Sequence, residues 1–566
     1  MNLTRDLIDD LTARARFGRK SKAAGRSGLI ISSHPVVSRV GADVLREGGN
    51  AVDALLAAAV AQCVIEPHMC TIFGMLSLLH HDAGSGKTEY MNSSMNAPLA
   101  GLDGFSAAEM TGGRAVGVPG FWAGFEAARE KFGTRSRAQL LAPAIEIART
   151  GFPIYPFLYG LMFEQVGKIG LTAEGRETYM RGGALMNPGD RLVQPRLADT
   201  LEKLVEGGSD YFYRSAFTQK VIDTVKGIGG VLTMEDFDRF AVRWQEPAWG
   251  SYKGHRIAGS PPPDNGGTHL IEILNLLEQL PVAQWGAPHE SADTMYWLAR
   301  CCTEVFNEGG RQRDPKDFPL PLDLITGKAY AQQRLALMKM SLPNTFSATG
   351  APYPGSNHLT VVDAKGNIAT GLHSVMSHPW TNGLVVDGVN IWAGGVHFLR
   401  QMPKPGGRGT VYVAPHLVFD PAGKPLLAGG SPSVGLIPTC VSNILNIVEF
   451  GLDIETSVHQ PRVGGPALAS MLTPGNLTTS VEVDCGDDKL REQVKERGVP
   501  LETTNAWSFM SGSYEGIHFT GDGTAEAADR APARRKRPQT QPISSSQKKV
   551  GSSMSRNASI SLVIRL

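Results

Sequence analysis

The sequence predicts a layered α/β fold, with sheets sandwiched by helices, and three observations carry that expectation. The N-terminal third reads as α/β, and residues 120–340 follow mostly helical patterns, as over 120–132 and 291–309. From Ser356 the character changes to short strand-like runs broken by Gly and Pro turns. A buried helix then returns around Val441 to Phe450. A helix-rich part followed by a strand-rich part suits sheets whose outer faces are covered by helices. A chain of 566 residues has room for several ordinary domains or for one large fold.

The elements follow in order. From His34 to Glu47 the apolar residues Val36, Val37, Val40, Val44 and Leu45 keep a helical period, and Gly48-Gly49 stops it. Asn50 caps the next helix, whose Ala51 to Cys63 stretch is apolar nearly all round and therefore buried. Leu78-Leu79-His80 and Glu89-Tyr90-Met91 read as two strands of a hairpin. Its turn holds Gly84-Ser85-Gly86-Lys87-Thr88, which imitates a phosphate loop. A phosphate loop needs glycine five positions before Gly86, and His81 stands there.

A second hairpin is the most informative stretch. Ser356 to Asp363 is β-rich, Ala364-Lys365-Gly366-Asn367 is a turn, and Ile368 to Ser374 resumes the strand pattern. Centred on Lys365, the pairing sets Ser356 opposite Ser374, with Cβ atoms about 5 Å apart. On spacing alone the plainer reading prevails: Ser356 follows the Pro354-Gly355 turn, and Ser374 ties the hairpin across the ladder.

Composition narrows the class. Apolar residues make up 42% and charged residues 19%, as in a globular protein. A net charge of +1 gives no reason to expect nucleic acid or an anionic membrane as partner. Six cysteines without a CxxC pattern suggest neither a disulfide framework nor a metal site; Cys63, Cys70, Cys301 and Cys302 read as small buried side chains. Residues 1–22 lack the apolar core of a secretory leader, and no apolar run of about eighteen residues suggests a membrane span. A cytoplasmic protein is expected. Arg530 to Ser559 has the composition of a disordered tail, and its Arg534-Arg535-Lys536-Arg537 cluster reads as solvated.

Ser356-Asn357-His358-Leu359-Thr360-Val361-Val362-Asp363 with Gly366-Asn367 resembles the Thr-Thr-His-x-Ser-Val-Val-Asp-x-x-Gly-Asn segment of γ-glutamyltranspeptidases. These are N-terminal-nucleophile (Ntn) hydrolases. The likeness extends over about residues 28–530, through Ser33-His34-Pro35, Leu45 to Ala54, Val64-Ile65-Glu66-Pro67-His68, Ala115 to Gly120, Leu141 to Ile145, Gly151-Phe152-Pro153 and Gly430-Ser431-Pro432. It implies a four-layer αββα sandwich whose central sheets draw strands from both sides of a cleavage site. It also implies that the precursor cuts itself at Gly355–Ser356, freeing Ser356 as nucleophile with its own α-amino group as base. The family's second Thr lies eighteen residues after the first, and Ser374 lies eighteen after Ser356. The resemblance gives Ser374 the role of holding the Ser356 rotamer, and gives the backbone at Ser433 and Val434 the oxyanion hole. It calls for no metal or organic cofactor.

The chain departs from the family where substrate is held. The Arg of the family's Arg-Glu-Thr-Ala-Pro segment is Ser94 here, its Ser-Ser pair is Val411-Tyr412, and its Asn after the second Thr is Met376. The segment that grips the substrate amino group reads Trp392 to Phe398, including His397. An unpartnered zwitterion would cost several kcal/mol per buried charge. Ser94, Met376, Trp392, His397, Val411 and Tyr412 are instead expected to bind an apolar or aromatic acyl group, or to fill the old pocket as core. The expected substrate is a small amide or peptide-like molecule, cleaved or transferred through a Ser356 acyl-enzyme. Two alternatives stand beside this reading: a γ-glutamyl hydrolase or transferase acting on glutathione-like substrates, and a catalytically silent relative used for binding. The expected division is a flexible segment over 1–27, a large subunit over 28–355, a small subunit over 356–525 and a disordered basic, Ser-rich tail over 526–566. The two subunits would form a heterodimer cut from one chain.

Overall fold

The computed structural model describes residues 3–16, 18–309, 312–340, 356–377, 379–433, 435–461, 463–466, 479–482, 488–498, 501–504 and 511–528. Gly355, Val434 and the tail beyond 528 lie outside these residues.

Two antiparallel sheets stack face to face. One has six strands in the order Leu29–Ser32, Ser356–Val362, Ile368–Ser374, Met75–His81, Thr88–Ser93 and Arg243–Gln245. The other has seven, in the order Ala23–Gly25, Ala525–Ala528, Glu515–Phe519, Pro425–Gly430, His416–Phe419, His255–Gly259 and Ala248–Tyr252. Both sheets thus take strands from before and after Ser356. Three apolar layers hold them. Leu29, Ile31, Leu79, Val362, Leu417, Ala428 and Ile517 are buried between the sheets. Helices Pro35–Arg46, Ala51–Ile65 and Phe121–Phe132 cover the six-stranded sheet, and Gly266–Glu278, Ala292–Gly309 and Leu436–Ile444 cover the other. The chain has the four-layer αββα architecture.

Local chemistry explains the elements that position the site. Asn50 and Asp53 form a reciprocal capping box at the start of Ala51–Ile65, and every residue of that helix is buried. The Ser356 hairpin pairs Ser356 with Ser374 and Val362 with Ile368, as the sequence predicts. Its turn is closed by Asp363, whose carboxylate accepts the N–H groups of Lys365 and Asn367 at 2.9 and 3.1 Å, and Gly366 takes the positive φ of +83° the turn requires. The same carboxylate accepts Ala51 N–H at 3.2 Å, so the hairpin turn is fastened to the first residue of the buried helix. The hairpin expected from Leu78-Leu79-His80 and Glu89-Tyr90-Met91 forms between Met75–His81 and Thr88–Ser93, with Leu79 opposite Tyr90.

Three expectations change. The mostly helical region 120–340 supplies the strands Arg243–Gln245 and His255–Gly259, which pair across long sequence distances, and Ala248–Tyr252, which closes a local hairpin on His255–Gly259. The helix expected over Val441 to Phe450 starts at Leu436 and ends in a π-turn over Leu445–Glu449. The segment 1–27, read as flexible, carries helix Arg5–Ala13, which buries Ile8 and Leu11, and strand Ala23–Gly25, which pairs with Ala525–Ala528. Its charge alternation is one face of an amphipathic helix, and Asp9 is bonded to Arg191. Among the described residues no helix is long and apolar enough to cross a membrane.

Candidate active site

Strand alternation divides the hairpin's side chains between two faces. On the face toward the second sheet stand Ser356, His358 and Thr360, with Ser374 and Thr370 across the ladder. His358 Nε2 and Thr370 Oγ1 are 2.8 Å apart, and Thr360 donates to Glu515 O at 3.0 Å. Gly430 lies directly over His358: a Cβ there would sit 2.2 Å from the ring. Burial first, and then His416 and His373, hold the His358 imidazole far below its ordinary pKa, so it is neutral.

The close approach at Gly430 sets the following loop over the hairpin's open end. Ser433 N–H donates to Ser356 Oγ at 3.1 Å. Ser433 adopts φ +77°, in the left-handed region that favours glycine, and its own hydroxyl is buried without a hydrogen-bond partner among the described residues. Ser374 Oγ accepts Met376 N–H at 2.7 Å, and Met376 also has positive φ, +53°. Ser356, Ser374 and Ser433 are all buried. The arrangement can present a hydroxyl beside a backbone donor, which an acyl transfer needs for nucleophile and oxyanion.

The opposite face of the hairpin meets helix Ala51–Ile65 and carries a closed polar network. Asn357 Nδ2 donates to Glu66 Oε2 at 3.1 Å, and Ser33 Oγ and Gln62 Nε2 each donate to the same oxygen at 2.7 Å. His373 Nε2 lies 2.6 Å from Gln62 Oε1. Burial pushes the Glu66 carboxyl above its usual range, against the hydrogen bonds from Gln62 and Ser33. Sequence reasoning passed over this network. Its signals were present: Asn357 and His373 adjoin the two serines, and Gln62 and Glu66 are one helical turn apart.

The proposed acyl-pocket residues do not all come together. Ser94 and Val411 meet at Asp264: Ser94 Oγ donates to Oδ1 at 2.6 Å, Tyr90 OH donates to Oδ2 at 2.5 Å, and Asp264 is bridged to Val411 through the backbone. Arg408 lies buried beside them, giving N–H groups to Ser94 O and Ala241 O and stacking 4.7 Å from the Phe240 ring centre. Burial raises the Asp264 pKa to about 6, and burial with Arg243 nearby lowers that of Arg408 to about 9. Asp264 and Arg408 were not singled out from sequence; a carboxylate directly after Pro261-Pro262-Pro263 was the available signal. Met376, Trp392 and Val411 belong to the core on the helix side of the six-stranded sheet, together with Met95 and Phe398. His397 is buried on the short helix Gly395–Arg400. Tyr412 is not with them: it packs against His269 and Phe306, at ring separations of 5.2 and 5.9 Å, in the core of the other sheet.

Known proteins share this chain over most of its length. The family model for gamma-glutamyltranspeptidase matches residues 37–538. A glutathione hydrolase proenzyme of Bacillus subtilis (strain 168) is 29% identical over 493 residues, covering 80% of this chain and 83% of that protein. An acylase ACY 1 proenzyme of Pseudomonas sp. (strain SE83) is 29% identical over 480 residues, covering 78% of this chain and 83% of that protein. A crystal structure of cephalosporin acylase from Bacillus halodurans superposes with a TM-score of 0.77 at 21% identity, covering 91% of this chain and 96% of that one, and shares the fold. The chain therefore belongs to the gamma-glutamyltranspeptidase family of Ntn hydrolases, self-processing enzymes that hydrolyse or transfer amide-linked acyl groups.

Proposed function

We propose that this chain is a self-cleaving amidohydrolase whose nucleophile is Ser356 and whose acyl group is apolar or aromatic rather than γ-glutamyl. The observation that carries the first half is the Ser433 N–H, 3.1 Å from Ser356 Oγ, at the end of a hairpin that sets Ser374 opposite. In maturation Ser356 Oγ attacks the Gly355 carbonyl and an N→O acyl shift gives an ester. Water hydrolyses the ester, leaving a carboxylate on Gly355 and a free amine on Ser356. In turnover that amine takes the Ser356 hydroxyl proton as Oγ attacks the substrate carbonyl. The oxyanion receives the Ser433 N–H, and the proton passes to the departing amine. Water or an amine acceptor then releases the acyl group. The large and small pieces, divided at 355/356, remain one heterodimer because each sheet contains strands of both.

The second half is supported by how the polar groups near Ser94 are used. The Asp264 carboxylate is occupied by Ser94 and Tyr90, and Arg408 is directed at backbone carbonyls. Of this pair only the Arg408 Nε–H is buried without a partner among the described residues, so an amino-acid zwitterion finds no matched pair of clamps here. Trp392 Nε1, buried without a partner among the described residues, supplies one donor to an otherwise apolar lining.

Intact mass under denaturing conditions, with N-terminal sequencing of any fragment, tests the nucleophile. Two fragments are expected, the smaller beginning Ser356-Asn357-His358; a chain that stays whole after long incubation overturns the reading. Hydrolysis of aromatic or aliphatic acyl anilides, set against a γ-glutamyl anilide, tests the acyl group; preference for the γ-glutamyl substrate overturns that half alone.

A further inference from the structure

We propose that Cys63, Cys70 and His373 form a buried site for one thiophilic divalent cation of the zinc class, directly beneath the Ser356–Ser374 pair. The two sulfurs and one imidazole nitrogen all lie within 4.8 Å of one another, and Cys63 Sγ is 3.9 Å from His373 Nδ1. Tetrahedral zinc, with bonds of about 2.3 Å to sulfur and about 2.0 Å to nitrogen, separates its ligands by roughly 3.5 Å, so a small contraction closes the cluster on an ion.

The surroundings prepare the histidine for this role. The Gln62 amide donates through Nε2 to Ser33 Oγ and Glu66 Oε2, which leaves its Oε1 as the acceptor for His373 Nε2–H at 2.6 Å. That fixes the proton on Nε2 and turns the Nδ1 lone pair toward the sulfurs. A ligating imidazole held through its other ring nitrogen is the usual outer support of a metal site. Asn357 Nδ2 approaches Cys70 Sγ at 3.5 Å, a donor suited to a thiolate. Charge also balances: two thiols lose two protons to solvent as the ion enters, so a divalent cation with two thiolates and a neutral imidazole is uncharged, as this dry location requires.

The ligands come from the buried helix, the turn after it and the second hairpin strand, so occupancy would clamp these elements one residue from Ser374. The test is elemental analysis of the full-length protein purified from cells grown with excess zinc. We expect about one zinc per chain in the wild type and in Cys301→Ser, a buried thiol elsewhere, and at least about tenfold less in Cys70→Ser. Cys63→Ser serves as the second variant should Cys70→Ser fail to fold. Wild-type protein without zinc, zinc retained in both site variants, or a wild-type chain lighter by two hydrogens through a Cys63–Cys70 disulfide would each overturn the proposal.

Discussion

The two faces of the Ser356 hairpin use the same seven-residue strands and differ in what completes them. On the inter-sheet face the groups are hydroxyls and an imidazole in a row that ends at Ser356, where Ser433 N–H reaches its Oγ. On the helix face Asn357 and His373 are enclosed by Gln62, Glu66 and Ser33. A reactive hydroxyl has to keep a side open to substrate, whereas a buried polar network is stable only when its members satisfy one another. The first face is therefore expected to govern chemistry with little effect on folding, and the second to govern folding with little effect on the chemistry of molecules that fold.

Ser356→Ala should break the comparison most sharply. Self-cleavage should disappear and amide hydrolysis should fall by four or more orders of magnitude, while the melting temperature changes little. Measurable cleavage in this variant would move the nucleophile elsewhere. Ser356→Thr restores a hydroxyl at the same register and should still self-cleave.

Asn357→Ala, the next residue on the other face, should do the opposite. It removes a donor to Glu66 and leaves a buried carboxyl short of one partner, a cost of about 1–3 kcal/mol. Chemical unfolding should show the loss, and turnover per folded, cleaved molecule should stay within a few-fold of wild type.

Acid sensitivity distinguishes buried groups of opposite sign. Burial lowers the pKa of His34 and His68 to about 3 and of His80 and His416 to about 4, from 6.5. The unfolded chain then binds protons that the folded one refuses, so stability should be full above about pH 6.5 and fall as the pH drops toward 4. Asp264 works the other way. Its folded pKa of about 6 lies above the ordinary 3.8, so it contributes stability below pH 3.8 that is lost as the pH rises through 6. Denaturant midpoints measured across this range should decline more steeply toward acid in Asp264→Asn, and less steeply in His416→Gln.

The smallest effect is expected at Ser433. Ser433→Gly keeps the N–H that faces Ser356, relieves a positive φ and removes a buried hydroxyl without a described partner. The variant should be more stable by about 1 kcal/mol and should self-cleave at least as fast. Slower cleavage would mean that the serine side chain itself takes part in the oxyanion loop.

Much of this was legible in the residues. The cap at Asn50, the all-buried Ala51 helix, both hairpins and the Ser356–Ser374 pairing follow from turn chemistry and from the periods of helix and strand, which act within about twenty residues. The resemblance to the family then supplied the αββα layering and the loop at Gly430. The sequence could not place Tyr412, which matching the family's Ser-Ser pair put beside Val411 in the pocket but which the alternation of the chain sends to the other core. It read Cys63 and Cys70 as small buried side chains and gave no sign that His373, some 300 positions later, comes to rest against them. It showed no partner for Ser94, because Asp264 reaches it only when the run after Pro263 folds beside the Thr88–Ser93 strand. Local sequence sets dihedral preference and periodicity; which polar groups share a buried space is set by long-range packing, where the cost of an unpaired group selects the partners.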